Sequence, residues 1–264
     1  MMITQLINYP VKSLAGCELK QSNVKATGLE NDRLMMLIDD RGKFITQRKF
    51  PQLALIKAEC NESGIVFNTD DRANLTIDSD FQGDPIQVDV WDDECHGFIA
   101  DNSVNDWFSK YLDRPVRLVR YNFAQPRPVD RAFSKFGDMV GFADDSPILL
   151  VSEASVADLN SRLENPVSYR NFRPNIVCNK EIAFIEDSWK KVRIGELEFD
   201  VAKQCSRCIL TTVDPETGVK RSDKEPVETL SGYRRGPEGI MFGVNLIPRT
   251  FGTLRVGDTI SVIE

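Results

Sequence analysis

One histidine, His96, is all that the 264 residues contain, and it stands in the acidic segment WDDECHG. A zinc site built on imidazoles is thereby excluded. Positive charge is also short, with 33 Lys and Arg against 40 Asp and Glu and a formal net charge of −7. That balance argues against a nucleic-acid or anionic-membrane surface, which needs a basic stripe, and leaves a small molecule as the expected ligand. No segment approaches the ~18 apolar residues of a membrane span. The opening MMITQLINYPVKS has neither the basic leader nor the apolar run of a signal peptide. Cys17, Cys60, Cys95, Cys178, Cys205 and Cys208 are too scattered for a disulfide framework. They read as reduced thiols, and the expected compartment is cytoplasmic. No Gly-x-Gly-x-x-Gly follows a strand, no P-loop occurs, and no three cysteines run closely together. Dinucleotide, nucleoside triphosphate and iron–sulfur cluster therefore all lack their usual cradle.

What is present reads first as short strands separated by turn residues. The length suits two domains. Ile3 to Tyr9, Leu34 to Ile38, Leu53 to Ile56, Ile65 to Phe67, Leu75 to Ile77 and Ile86 to Trp91 are expected strands, with Lys43 to Thr46 returning as a hairpin partner of the second. Their spacing suits a barrel or sandwich. Residues 103 to 111 change period, placing Val104, Trp107, Phe108 and Tyr111 on one helical face behind Ser103 as N-cap. Trp107 and Phe108 are read as core, since aromatic residues at helical spacing pack inward. After Val116 to Val119 comes the polar, proline-bearing run 122 to 130, a linker or lid, which puts a domain boundary near residue 120. The second half offers a buried strand at Ile148 to Val151, a helix capped by Ser152, a strand at Asn175 to Cys178 and a hairpin through Gly195-Glu196. The fold class is mainly β with some helices, α+β.

Chemistry gathers at QCSRCILTTVDPETG, residues 204 to 218. Cys208 follows Arg207, and a neighbouring guanidinium favours the nucleophilic, metal-ligating thiolate. Three readings stay open here: a buried cysteine opening an apolar strand, a Cys205–Cys208 redox pair, and a metal thiolate. Lys12 and Ser13 stand at a strand end before a glycine, where an anion can sit. Arg33 leads directly into a core strand, and Arg173 stands at the mouth of another. A positioned thiolate with scattered cations in an acidic protein suits an anionic cofactor.

The strings FADDSPILLVSEASVADLNSRL, NFRPNIV and QCSRCILTTVDPETG, with YPVKSLAG and GLENDRLMMLIDD in the first half, closely resemble the MOSC-domain proteins, among them the mitochondrial amidoxime-reducing components. The resemblance covers nearly the whole chain. It implies an N-terminal β-barrel domain over residues 1–120 followed by a MOSC β-barrel domain over 121–264. Between them it implies a molybdenum cofactor, a pterin dithiolene with a terminal phosphate, with Cys208 as the protein thiolate on the metal. Lys12 and Ser13 match the family's phosphate contacts and Arg33 a further cofactor-binding arginine. Asp144, Asp145 and Ser146 match the loop that touches the pterin, although a threonine often stands where Asp145 is. Arg173 and Asn175 match an arginine-proline-asparagine contact, Ser206 and Arg207 flank the ligand cysteine, and Asn245 matches a late loop.

The activity so implied is two-electron reduction of the N–O bond in small N-hydroxylated compounds, which soft sulfur ligation of a redox metal suits. Asp214 is a candidate proton donor, or else a residue of an Asp-Pro turn. Longer bacterial relatives append a two-iron ferredoxin domain, whereas this sequence stops at Glu264 and shows no iron–sulfur or flavin motif. Electrons are expected from a separate flavin or iron–sulfur reductase. The resemblance leaves two rivals: a molybdenum cofactor carrier, and a sulfur carrier with a persulfide on Cys208, as suggested for MOSC domains attached to cofactor sulfurases.

Overall fold

In the computed structural model, which describes residues 1–61 and 64–264, strands dominate and three α-helices punctuate them. The first half holds β1 (Ile3–Asn8), β2 (Cys17–Leu19), β3 (Gln21–Lys25), β4 (Gly28–Leu29), β5 (Met35–Ile38), β6 (Lys57–Asn61), β7 (Gly64–Thr69), β8 (Arg72–Ile77), β9 (Pro85–Val90), β10 (Asp93–Ile99), α1 (Asn102–Leu112) and β11 (Arg117–Tyr121). The second half holds β12 (Arg127–Pro128), β13 (Met139–Val140), β14 (Ile148–Ser152), α2 (Glu153–Asn160), β15 (Ile176–Cys178), β16 (Lys191–Ile194) and β17 (Leu197–Arg207). It ends with α3 (Val227–Tyr233), β18 (Arg235–Gly236), β19 (Gly239–Pro248), β20 (Gly252–Arg255) and β21 (Ile260–Val262).

The apolar runs decide which strands lie innermost. Every residue of β14, ILLVS, is buried, as a strand covered on both faces requires, and it runs parallel to β15 and antiparallel to β19 at the centre of the large sheet. β3 instead alternates exposed and buried along QSNVK, the mark of a strand with one wet face. The large sheet follows the order β2-β1-β15-β14-β19-β17-β16-β21, with β18 branching from β19. This is an open path, so among the described residues the strand pairing does not close the barrel that the sequence led one to expect. A second sheet, β5-β11-β10-β9, a three-stranded sheet, β6-β7-β8, and the small sheet β20-β3-β4 hold the other strands of the first half.

The boundary near residue 120 does not divide the sheets. β1 pairs with β15, Leu6 opposite Ile176, and β3 pairs with β20, Val24 opposite Gly252. β1 and β2 are thus built into the large C-terminal sheet, and β3 and β4 into a small sheet with β20, before β5 begins the other half. Ile3, Leu6, Ile148, Ile176, Phe199 and Leu246 share the core of the large sheet. Phe67, Phe108 and Leu53 belong to the core of the first half. Phe108 packs edge-on to Phe67 at 5.0 Å, and Trp107 lies against both, as the helical spacing predicts.

Three local expectations are corrected. Leu53 to Ile56 is no strand: Pro51, with its fixed φ, opens a 3-10 turn over Pro51–Leu55. Lys43 to Thr46 makes only the single bridges Ile38–Phe44 and Lys43–Asp89, because the Asp39 carboxylate accepts from the Arg41 and Lys43 amides and shapes a tight turn instead of a ladder. Helix α1 starts at Asn102 with Asp101, not Ser103, in the N-cap position. Elsewhere the reading holds, for Ser152 Oγ accepts from Ser155 N at 3.2 Å at the head of α2, and Gly195-Glu196 turns β16 into β17.

The run from Asn122 to Asp138 forms a strap buckled at both ends. Arg127, 5% exposed in its side chain, donates to Asp93 Oδ2 at 2.7 Å and to the carbonyls of Ala143 at 2.6 Å and Asp144 at 2.9 Å. At the far end Arg249 holds Asp138 and Asp200. Removing a buried guanidinium orphans several acceptors at once, so Arg127→Ala is expected to destabilise the protein by about 2–4 kcal/mol. An unfolding free energy from urea titration lowered by less than half of that amount would show the buckle to be dispensable.

Candidate functional site

A cleft of about 700 Å³ opens where the two halves meet, and all twelve residues singled out from the sequence line it. Lys12 and Ser13 come from the segment after β1, Arg33 from the turn before β5, Asp144, Asp145 and Ser146 from the loop before β14. Arg173 and Asn175 precede β15, Ser206 and Arg207 end β17 with Cys208 beyond them, and Asn245 lies on β19. Ser13, Arg33 and Arg173 have positive φ, at 69°, 47° and 55°. Backbone strain of this kind persists only where surrounding structure fixes it.

That fixing is visible residue by residue. Lys12 Nζ donates to Phe142 O at 2.8 Å and to Asp144 Oδ1, which leaves one of its three N–H groups free. Burial pushes the Lys12 pKa down, against the pull of Asp144. Burial disfavours charge on Asp144 too, yet Lys12 overrides it and holds the carboxyl below the usual carboxylate range. Arg33 donates to Asp32 Oδ2 at 2.6 Å, Asn175 Oδ1 at 3.0 Å and the Arg173 carbonyl at 2.9 Å. Its guanidinium and that of Arg173 both stack on Tyr9, at 4.4 and 4.2 Å from the ring centroid. Burial raises the Tyr9 pKa to about 12, despite the two cations. Burial lowers that of Arg173 to about 10, with the charge of Arg33 adding to the effect, so a nearby anion would relieve it. The Asn175 amide accepts from Arg33 and Leu149 N and donates to Ile7 O and Asp32, so it positions the arginines and has no group left for a ligand.

The cysteines depart from the sequence reading. Arg207 Nη1 donates to Cys205 Sγ at 2.9 Å and Nη2 to the Phe172 carbonyl, so the guanidinium serves Cys205 and not its chain neighbour Cys208. Burial raises the Cys205 pKa, and Arg207 partly offsets it. Cys208 is exposed, and Ile209–Thr212 behind it is a 3-10 turn, which removes the reading of a buried cysteine opening an apolar strand. Alternation along β17 accounts for the Arg207–Cys205 pairing, since Cys205 and Arg207 stand two residues apart in one strand while Cys208 lies past its end. Asp214 accepts from the Glu216 and Thr217 amides and does not line the cleft, as its turn reading predicts.

Arg48, Trp91 and Arg127 also line the cleft and were not legible as site residues, because nothing in TQRKF or VWDD marks a position that only tertiary folding brings to the mouth.

A fit test for an anionic, thiolate-bound group rests on unmet hydrogen bonds. Ser146 Oγ, Arg173 Nη2 and Arg207 Nε are buried without a protein partner, and all three belong to cleft residues. Such orphans cost about 1–3 kcal/mol each and require an explanation. A group rich in acceptor oxygens and nitrogens supplies one. No cluster of three His, Cys, Asp or Glu occurs among the described residues, so a metal on Cys208 would take its other ligands from the group that carries it. The residues fit.

Comparison with known proteins gives the family. A family signature described as the MOSC N-terminal beta barrel domain matches residues 1–115, and one described as the MOSC domain matches 137–261. The chain is 35% identical over 286 residues to mitochondrial amidoxime-reducing component 1 of Homo sapiens, spanning 99% of this chain and 82% of that protein. The chain belongs to the MOSC-domain family. The Danio rerio amidoxime-reducing component 1 is 34% identical to this MOSC protein, over 98% of the chain and 84% of the relative. A molybdenum cofactor sulfurase of Oryza sativa is 33% identical over 92% of the chain, which spans 32% of that longer protein. The word mitochondrial in the animal relatives' names lends no support to a cytoplasmic place for this MOSC protein. Among the described residues no helix is long and apolar enough to cross a membrane.

Proposed function

We propose that this MOSC protein is a molybdenum-cofactor-dependent oxidoreductase that reduces N–O bonds of small N-hydroxylated compounds, with electrons from a separate flavin or iron–sulfur reductase. The observation that carries the reading is the set of unpartnered buried groups on Ser146, Arg173 and Arg207 in the cleft that also presents the exposed thiol of Cys208. The kinship with amidoxime-reducing components gives the reaction class. Lys12, Ser13 and Arg33 hold the phosphate end, Ser146 and Arg173 the pterin, and Cys208 the metal. When bound, the cofactor supplies two-electron redox chemistry at a soft, sulfur-ligated metal. The chain fixes the position of that group through residues whose own rotamers are locked by Asn175, Asp32 and Tyr9. The test is metal analysis of protein from a molybdenum-sufficient host, followed by benzamidoxime reduction with reduced viologen. Stoichiometric molybdenum without turnover would favour a cofactor carrier.

A sulfur carrier is the second reading, favoured by the exposure of Cys208 and by the sulfurase relative. A persulfide on Cys208 in protein free of molybdenum would decide for it.

The need for an outside donor gives a further expectation. The purified chain should be inert with NADH and active once reduced viologen or a flavin or iron–sulfur reductase is present. With a protein donor the rate should fall as salt rises, because a net charge of −7 steers a basic docking face. Steady NADH-dependent turnover by the chain alone would contradict the reading.

A further inference from the structure

We propose that Arg48 and Trp91 form the substrate-docking face of the cleft, selecting planar conjugated N-hydroxylated compounds that bear a carboxylate; the proposal rests on the reductase reading above. Trp91 and Asp92 are the two residues joining β9 to β10, since Val90 pairs with Asp93. The turn puts Trp91 at φ 58°, rare for so bulky a side chain, and leaves it 46% exposed. Yet the ring is held. Its Nε1 donates to Asp144 Oδ1 at 3.0 Å, its edge meets Phe44 at 5.3 Å, and the Arg48 guanidinium lies 4.2 Å from its centroid. A rigid, exposed indole binds a flat ligand at little entropic cost.

Arg48 adds a charge preference. Among the acids of the cleft, Asp93 is paired with Arg127, Asp144 with Lys12 and Asp145 with Lys203. Arg48 makes no salt bridge among the described residues: its guanidinium stacks on Trp91, and its charge reaches the Asp144 carboxylate that the indole N–H and Lys12 hold. Arg173 and Arg207 face the cofactor cradle, and Arg131 lies over Phe136. The planar fork of Arg48 is therefore the cation that stands on the Trp91 ring itself, placed for the carboxylate of a ligand lying against the indole. Asp144, within reach of the Arg48 charge, and Asp92 and Asp130, which also line the cleft, oppose an anion there and keep the expected preference to about tenfold.

The test is calorimetric binding of 4-carboxybenzamidoxime, benzamidoxime and acetamidoxime to the holoprotein without an electron donor. Wild type should prefer the carboxylated ligand to benzamidoxime by about tenfold, and Arg48→Gln should erase that ratio. Trp91→Leu should weaken both aromatic ligands about tenfold relative to acetamidoxime, while Trp91→Phe, which keeps a ring but loses the Asp144 bond, should retain the aromatic preference. An equal effect on all three ligands, or a wild type with no preference, would overturn the proposal. So would loss of molybdopterin from Arg48→Gln, which would place that guanidinium on the cofactor. Selective binding without N–O reduction by reduced viologen would sink the reductase reading and leave the docking face standing.

Discussion

Cys208→Ala is expected to abolish N–O reduction and molybdenum binding, while Cys205→Ala keeps activity within about tenfold of wild type. The two thiols are three residues apart and live in different worlds. Both line the cleft, but Cys208 is exposed, whereas Cys205 is half-buried and accepts from the Arg207 guanidinium at 2.9 Å. Losing Cys205 frees one N–H of Arg207, which still donates to the Phe172 carbonyl and so stays near its place. Losing Cys208 removes the sole thiolate that this reading assigns to the metal. A dithiol mechanism would need both cysteines equally. Comparable loss in the two variants, with circular dichroism unchanged, would therefore replace the metal-ligand assignment with a redox pair.

Arg173→Ala should strip the cofactor with little cost to the fold. Within the protein its side chain donates one hydrogen bond, from Nη1 to the Leu14 carbonyl at 2.7 Å, and stacks on Tyr9, while Nη2 has no partner. Most of what it can offer is thus directed to a ligand. A charge-assisted bond lost there weakens retention by roughly ten- to hundredfold, from about 1.5–3 kcal/mol at ~1.4 kcal/mol per decade. Lys12→Ala should act in the same direction with a larger structural component, since it also deprives Asp144 and the Phe142 carbonyl of their donor. Molybdopterin occupancy per protein, measured beside the thermal midpoint, separates the two effects. Unchanged occupancy in both variants would remove the phosphate end from this part of the cleft.

Sequence carried the site further than it carried the local geometry. Continuous apolar runs marked β5 and β14, and Ser152 announced α2, because burial and capping act on neighbours in the chain. The twelve cleft residues were legible because their motifs survive as strings. What failed was direction. Adjacency in sequence put Arg207 beside Cys208, whereas the strand, running to Arg207, sets its side chain on the face of Cys205 two residues back. Arg48 and Trp91 carry no motif, and their place at the mouth follows only from how a hairpin tip meets a loop some 50 residues away in the chain. Asn175 was expected to touch the cofactor, but its four hydrogen bonds go to the backbone, Asp32 and Arg33, a detail that no spacing reveals.

The pairing of β1 with β15 sets an order of events during synthesis. Leu6 leaves the ribosome about 170 residues before Ile176, its partner across the ladder. At ~5–20 residues per second that is a wait of roughly ten to thirty seconds, during which β1 has β2 on one side and an unpaired edge on the other. The half made of β5 to β11 can collapse in the meantime, because its own pairings are complete by Tyr121. Lys12, anchored to that half where its amide donates to the Met35 carbonyl, meets Phe142 and Asp144, and across the cleft Arg173 and Cys208, only as the later segments emerge. Cofactor capture must therefore follow translation of the C-terminal sheet, and a nascent chain arrested before residue 176 should expose the first strand to chaperones and to proteases.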